Sequence, residues 1–176
     1  MLTIHHKHFV PYISETEIKG RVKAVAQQIE NDYKGLKPLF IAILNGSFMF
    51  AADLFRELDM EAEIAFIKLA SYKGTQSTGQ VITAIGLDRD VHDRHVVIIE
   101  DIIDTGKTLN AFLPQLQHSQ PLSLKIAALL HKPDATVYPI QPNYVCFPIP
   151  NKFVVGYGLD FDGLGRNLKE IYQIAE

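Results

Sequence analysis

The segment His95–Ile103 reads His-Val-Val-Ile-Ile-Glu-Asp-Ile-Ile, and it restricts the fold more than any other stretch of the chain. Its apolar residues run consecutively instead of alternating with polar ones. It reads as a buried strand, and the alternation of strands and helices along the chain implies a mostly parallel sheet covered on both faces. Two adjacent carboxylates, Glu100 and Asp101, interrupt the run, and Asp104 follows just before Thr105-Gly106-Lys107-Thr108. In open α/β sheets ligands bind beyond the C-terminal strand ends, so these acids and the Gly-Lys-Thr turn fall where a site belongs.

The rest of the chain supplies partners for such a strand. Ser14 and Glu17 have the spacing of a capping box, and Ile18, Val22, Val25 and Ile29 then recur at helical spacing up to a stop at Gly35. The apolar run 37–44 predicts a buried strand. Residues 47–58 predict a helix with Phe48, Ala51, Ala52 and Phe55 on one face. Partial alternation predicts a strand at 61–72, a Gly/Ser/Thr/Gln-rich loop at 73–80 and a returning strand at 81–87. Residues 108–117 predict a helix that Pro114 should bend or shorten. A buried strand is expected at 123–130 and another strand at 153–159. Between 132 and 150 there are five prolines, which favour extended irregular chain and predict a small cap beside the sheet. The reading is one α/β domain over 1–176, with a core over roughly 14–131 and a hood from roughly 1–13 and 132–176. No internal repeat or low-complexity segment interrupts it.

Composition narrows the functional classes. The chain has 176 residues, is 47% hydrophobic and 21% charged, and carries a net charge of −3. That balance suits a globular protein with a sizeable core and gives no broad basic face for nucleic acid, although a small basic pocket remains open. One cysteine, Cys146, excludes an intrachain disulfide, and it has no basic neighbour of the kind that activates a nucleophile. No apolar run is long enough to span a bilayer, and the N-terminus lacks the pattern of a signal peptide. The expectation is a cytoplasmic protein with no membrane or nucleic-acid partner. The cluster His5-His6-Lys7-His8 reads as solvated, with a metal site as the alternative.

The turn after Ile103 can be read as chemistry. Backbone N–H groups at a helix N-terminus ring an anion, and Gly106 allows close approach and dihedrals closed to other residues. Thr105 and Thr108 add hydroxyl donors. Each hydrogen bond to a charged oxygen contributes roughly 1.5–3 kcal/mol, so several would hold a phosphate firmly. The triphosphate-binding loop needs a glycine five positions before its Gly-Lys pair, where this chain has Asp101. Carboxylates repel polyphosphate but accept from hydroxyl groups, and they also suit a divalent cation. A ribose 5-phosphate meets both demands; the alternative is a capped strand–helix junction with solvated acids.

At these residues the chain resembles the phosphoribosyl-pyrophosphate motif of the type I phosphoribosyltransferases, in the form found among hypoxanthine(-guanine) phosphoribosyltransferases. The resemblance covers nearly the whole chain. Leu44-Asn45-Gly46-Ser47 is similar to the first, pyrophosphate-binding loop. Ser71-Tyr72 followed by Gln76-Ser77-Thr78-Gly79 is similar to the flexible catalytic loop. Lys132, Phe153-Val154-Val155-Gly156-Tyr157, Asp160 and Arg166 are similar to the purine-binding and C-terminal segments.

The resemblance implies the fold of that family and transfer of a phosphoribosyl group from 5-phosphoribosyl 1-pyrophosphate to hypoxanthine, and to guanine. It implies Mg²⁺ as cofactor, with Glu100, Asp101 and Asp160 as its carboxylates, and a homodimer or homotetramer. Glu100 and Asp101 would hold the ribose hydroxyls, Asp104 would move a proton near N7 of the base, and Thr105, Gly106, Lys107 and Thr108 would bind the 5′-phosphate. Asn45, Gly46 and Arg166 would meet pyrophosphate. Lys132, Phe153, Val154 and Asp160 would bind the purine, with Lys132 donating to the C6 oxygen. Read on residues alone, Lys132 is a surface lysine at a strand end and Phe153 a core aromatic. Ser71 and Tyr72 would close over the reacting centre, unless they belong to a plain solvated hairpin. Some relatives have lysine where this chain has Asn45, and glycine where it has Ser47. Two other outcomes are a xanthine-preferring relative and a regulator that kept the fold.

Overall fold

The computed structural model describes residues 1–72 and 81–175. In chain order the elements are β1 (Leu2–Ile4), β2 (Lys7–Ile13), α1 (Glu15–Asp32), β3 (Leu39–Leu44), α2 (Phe48–Glu57), β4 (Glu63–Tyr72), β5 (Val81–Ile85), β6 (His95–Ile103), α3 (Lys107–His118), β7 (Ser123–His131), β8 (Tyr144–Pro148), β9 (Val154–Val155) and β10 (Ile171–Ile174). Six strands form one sheet in the order β5-β4-β3-β6-β7-β8, and four form a second in the order β1-β2-β10-β9. Within the larger sheet only β5 runs antiparallel to its neighbour.

The central strand behaves as its consecutive apolar residues require. Val97 and Ile99 of β6 point into one core with Phe40 and Ala42 of β3, beneath α1 and α2. Val96 and Ile98 point the other way, with Leu39 and Ile41, beneath α3. Successive side chains of a strand alternate between faces, so a strand sandwiched by helices must be apolar at every position. Each such side chain, fully buried, stabilises the fold by roughly 1.5–3 kcal/mol.

The flanking helices follow from local chemistry. The Ser14 N–H donates to Glu17 at 2.9 Å while the Glu17 N–H donates to Ser14 Oγ, closing the expected capping box. Ile18, Val22, Val25, Ala26 and Ile29 form the buried stripe of α1. In α2 the buried residues are Phe50, Ala51 and Leu54, with Phe55 half-buried against the core; of the expected face, Ala51 and Phe55 pack inward while Phe48 and Ala52 are exposed. Almost every residue at the start of α2 is apolar, so its pattern does not select one stripe, and packing against α1 and the sheet decides. Helix α3 extends past Pro114 to His118, with Leu109, Phe112 and Leu116 buried on both sides of the proline, so the proline does not shorten it.

Two expectations about the C-terminal third need correction. Tyr144–Pro148 is a strand of the main sheet, paired in parallel with β7, and does not belong to the cap. Pro139 and Pro142 precede the strand and Pro148 ends it, so the prolines bracket the ladder without breaking it. Helix α1 also holds β8 in place: Arg21 Nε donates to the Cys146 carbonyl at 2.8 Å, and Tyr144 donates to Asp32 at 2.6 Å. The sheet core therefore runs beyond the expected boundary at 131. The strand expected over 153–159 is only Val154–Val155, because Gly156, Tyr157 and Gly158 all take positive φ and turn the chain away. The cap is the smaller sheet, built on Ile4, Phe9 and Val155.

Candidate active site

The larger sheet ends its parallel strands on one side, and the acids of β6 emerge there. Glu100 Oε2 is buried without a hydrogen-bond partner among the described residues. Burial, and then the neighbouring Asp101, push the Glu100 carboxyl well above its ordinary range. Burial also raises Asp101, against the lowering effects of Glu100, the Ile102 N–H and Arg166. Two adjacent acids removed from water cannot both ionise cheaply. Their shared excess of acceptor capacity suits a hydroxyl donor or a hard divalent cation.

The first loop is built around that pair. A Cβ at position 46 would overlap Asp101 Oδ2, so only glycine admits the Asp101 carboxylate against the loop. The Leu44–Asn45 peptide is cis. Ser47 is fully buried, and its hydroxyl donates to the Ile43 carbonyl at 2.5 Å. That bond ties the loop back to β3 as α2 begins.

Beyond Ile103 the chain turns into α3 through Gly106, whose φ of 81° is left-handed and strained for any other residue. Residues Glu100 and Ile102–Leu109 line a cleft of about 100 Å³, several times the space of one water and of a size to admit a phosphoryl group. The Lys107 N–H donates to Thr105 Oγ1 at 3.3 Å. Lys107 and Thr108 open the helix, so its positive N-terminal end faces the cleft.

Next to this cleft lies a second cavity of about 240 Å³, lined by Asp101, Ile102, Asp104, Lys132, Phe153, Val154, Leu159 and Asp160. The sequence had separated these residues into strand, loop and cap; the fold joins them. Lys132 is not the surface lysine that its position alone suggests: it is 5% exposed, and its Nζ lies 2.9 Å from Asp104 Oδ2. Phe153, conversely, is not a core aromatic but 43% exposed. Its ring packs T-shaped against Phe161, centroids 5.7 Å apart, and lines the cavity. Asp160 pairs with Arg166 at 2.6 Å and accepts from the Gly163 N–H at 2.7 Å, while Arg166 also donates to the Gly158 carbonyl at 2.6 Å. Sequence reasoning missed both ion pairs, and it missed Leu159.

Among the described residues no group of three or more His, Cys, Asp or Glu side chains is arranged to enclose a metal ion. The donors present still fit Mg²⁺, which takes one or two carboxylates from a protein and completes its shell with water and substrate oxygens. The orphaned Glu100 oxygen and the paired burial of Glu100 and Asp101 supply that partial set. The main chain of Ser71 and Tyr72 ends β4. Their side chains, the loop 73–80 and its Gln76, Ser77, Thr78 and Gly79 lie outside the described residues.

Comparison with known proteins agrees with this geometry. Residues 14–162 match the phosphoribosyl transferase domain family. The hypoxanthine-guanine phosphoribosyltransferase of Streptococcus pneumoniae strain R6 is 41% identical over 165 residues, covering 93% of this chain and 92% of that protein. A crystal structure of a hypoxanthine-guanine phosphoribosyltransferase from Bacillus anthracis superposes with a TM-score of 0.86 at 35% identity, covering 97% of this chain and 99% of the other. One of a hypoxanthine phosphoribosyltransferase from Staphylococcus aureus reaches 0.87 at 38% identity, covering 94% and 91%. The chain belongs to the phosphoribosyltransferase family, and its relatives place it in the hypoxanthine-guanine group.

Proposed function

We infer that the chain is a purine-salvage transferase, moving the 5-phosphoribosyl group from 5-phosphoribosyl 1-pyrophosphate to hypoxanthine, with guanine as a second base. One observation carries this reading: the cavity that gathers Asp104, Lys132, Phe153, Val154 and Asp160 stands beside the phosphate-sized cleft of the anion loop.

In this reading the ribose lies across Glu100 and Asp101, with its 5′-phosphate on the main chain of 105–108. Phe153 stacks on the purine, a contact worth roughly 1–3 kcal/mol for a base on an aromatic ring. Lys132 donates to the C6 oxygen, and the Val154 main chain meets the base edge. Lys132 and Asp104 satisfy one another without ligand, so an incoming base replaces that pair with two contacts of its own. Lys132 turns to the carbonyl oxygen, and Asp104 becomes free to take the proton near N7. The bond from the anomeric carbon to pyrophosphate breaks as the bond to the base nitrogen forms, and positive charge builds on the ribose in between. Asn45, Gly46 and Arg166 receive the departing pyrophosphate; a planar cation suits its paired oxygens. Mg²⁺, held by Glu100 and Asp101 and at a second position by Asp160, would supply positive charge to that leaving group. Ser71 and Tyr72 would exclude water from the activated sugar.

We further propose a cytoplasmic homodimer or homotetramer; no helix among the described residues is long and apolar enough to cross a membrane. The test of the activity is turnover with hypoxanthine, guanine, xanthine and adenine, with and without Mg²⁺. Metal-dependent formation of the hypoxanthine nucleotide is expected. No turnover with any base would end the enzymatic reading.

A further inference from the structure

A hydrogen-bond system that no sequence pattern announces lies on the outer side of the anion loop. Thr136 Oγ1 sits 2.7 Å from the Asp104 carbonyl, 2.9 Å from the Lys132 carbonyl and 3.2 Å from His131 Nε2. A hydroxyl has one proton to give, and the shortest of these contacts is to Asp104. The next residues continue the system: the Val137 and Tyr138 N–H groups both donate to the Thr105 carbonyl, at 3.1 and 3.3 Å. Ile140 then packs beneath Gly106, where a Cβ would meet its Cγ1 at 3.1 Å.

The direction of these bonds matters more than their number. A trans peptide points its C=O and its N–H to opposite sides. Holding the Asp104 carbonyl outward turns the Thr105 N–H inward, and holding the Thr105 carbonyl does the same for the Gly106 N–H. The cleft lies on that inner side: residues 104–109 line it and residues 136–138 do not. Left alone, a strained glycine turn has other orientations open to it.

We propose that Thr136 is a positioning residue for the anion loop, its hydroxyl fixing the Asp104–Thr105 peptide so that the loop amides face the phosphate. The identity of the ligand rests on the phosphoribosyl reading above; the clamp itself rests on the hydrogen bonds. Thr136 reaches two main-chain carbonyls and the His131 ring, and not the Asp104 carboxylate, so its loss falls on capture of the phosphate and not on proton transfer.

Thr136→Val keeps the shape of the side chain and removes the hydroxyl. In steady-state kinetics on the full chain, KM for 5-phosphoribosyl 1-pyrophosphate rises about tenfold, the size of one lost hydrogen bond. The KM for the base and kcat stay within about twofold, and Thr136→Ser restores the wild-type values. Amide hydrogen exchange on the ligand-free protein gives a second readout that needs no turnover: Val137 and Tyr138, whose N–H groups donate to the Thr105 carbonyl, exchange faster in the valine variant. Thr136→Ala is read in the same way if the valine variant does not fold. An unchanged KM for the sugar pyrophosphate with unchanged exchange overturns the proposal, as does a fall in kcat at constant KM. A wild-type protein inactive with every base would instead defeat the phosphoribosyl reading, while faster exchange in the variant would still support the clamp.

Discussion

The two halves of the site are made of different material. The phosphate end is main chain: a strand end, a left-handed glycine and the first turn of α3, its carbonyls held from behind by residues 136–138. The base end is side chain, and its charges are already spent on one another, Asp104 with Lys132 and Asp160 with Arg166. The first half is ready for an anion before one arrives. In the proposed reading, the second exchanges internal ion pairs for contacts with the substrate. Binding energy at the phosphate end would then be used to break pairs at the base end, where the proposed chemistry needs free groups.

Mutations can break or sharpen this contrast. The largest effect should come from Asp104→Asn, which leaves the fold and the phosphate end intact. Turnover should fall by roughly 10²- to 10⁴-fold, the range for loss of a positioned acid or base, while calorimetric binding of the sugar pyrophosphate persists. Wild-type rates in that variant would remove Asp104 from proton transfer.

Gly46→Ala should come next. Its Cβ would displace the Asp101 carboxylate, which stands where the new carbon would go, and misplacement on that scale costs on the order of 10²-fold in kcat/KM. A variant with normal kcat/KM would show that the Asp101 carboxylate can move without consequence.

The smallest effect concerns stability. The Glu100 carboxyl is raised from its ordinary 4.5 mainly by burial, so above that pH the unfolded chain gives up a proton that the folded chain retains. Its contribution to stability is whole below 4.5 and declines as pH rises toward the folded value. Glu100→Gln removes the decline. The variant should melt higher than wild type, by a margin that grows as pH rises from 4.5 toward the folded value. It should also bind the donor more weakly. A melting temperature at or below wild type at pH 8 would mean that Glu100 is not destabilised in the ligand-free fold.

The contrast also explains what could be read from the residues alone. The phosphate end is local in sequence, so the strand His95–Ile103, the acids within it and the glycine turn could all be placed. The capping box of α1 is local for the same reason. The base end depends on contacts between distant segments. Lys132 and Asp104 are 28 positions apart, and periodicity says nothing of such a pair, so family resemblance alone had brought them together. The same limit hid β8, whose prolines suggested loose chain until its pairing with β7 was seen. It also hid Thr136, which belongs to no motif and whose partners are carbonyls and a histidine that only the turn after β7 brings within reach. The buried stripe of α2 was unreadable for another reason: an excess of apolar residues left its rotation undetermined.

The division of labour is tested most directly by a crystal structure of the protein with a purine nucleoside monophosphate and Mg²⁺. The phosphate should accept from the main-chain amides of 105–108, the ribose hydroxyls should meet Glu100 and Asp101, and the Lys132–Asp104 pair should have opened around the base. A phosphate bound elsewhere, or a base seated while Lys132 and Asp104 remain joined, would contradict the account.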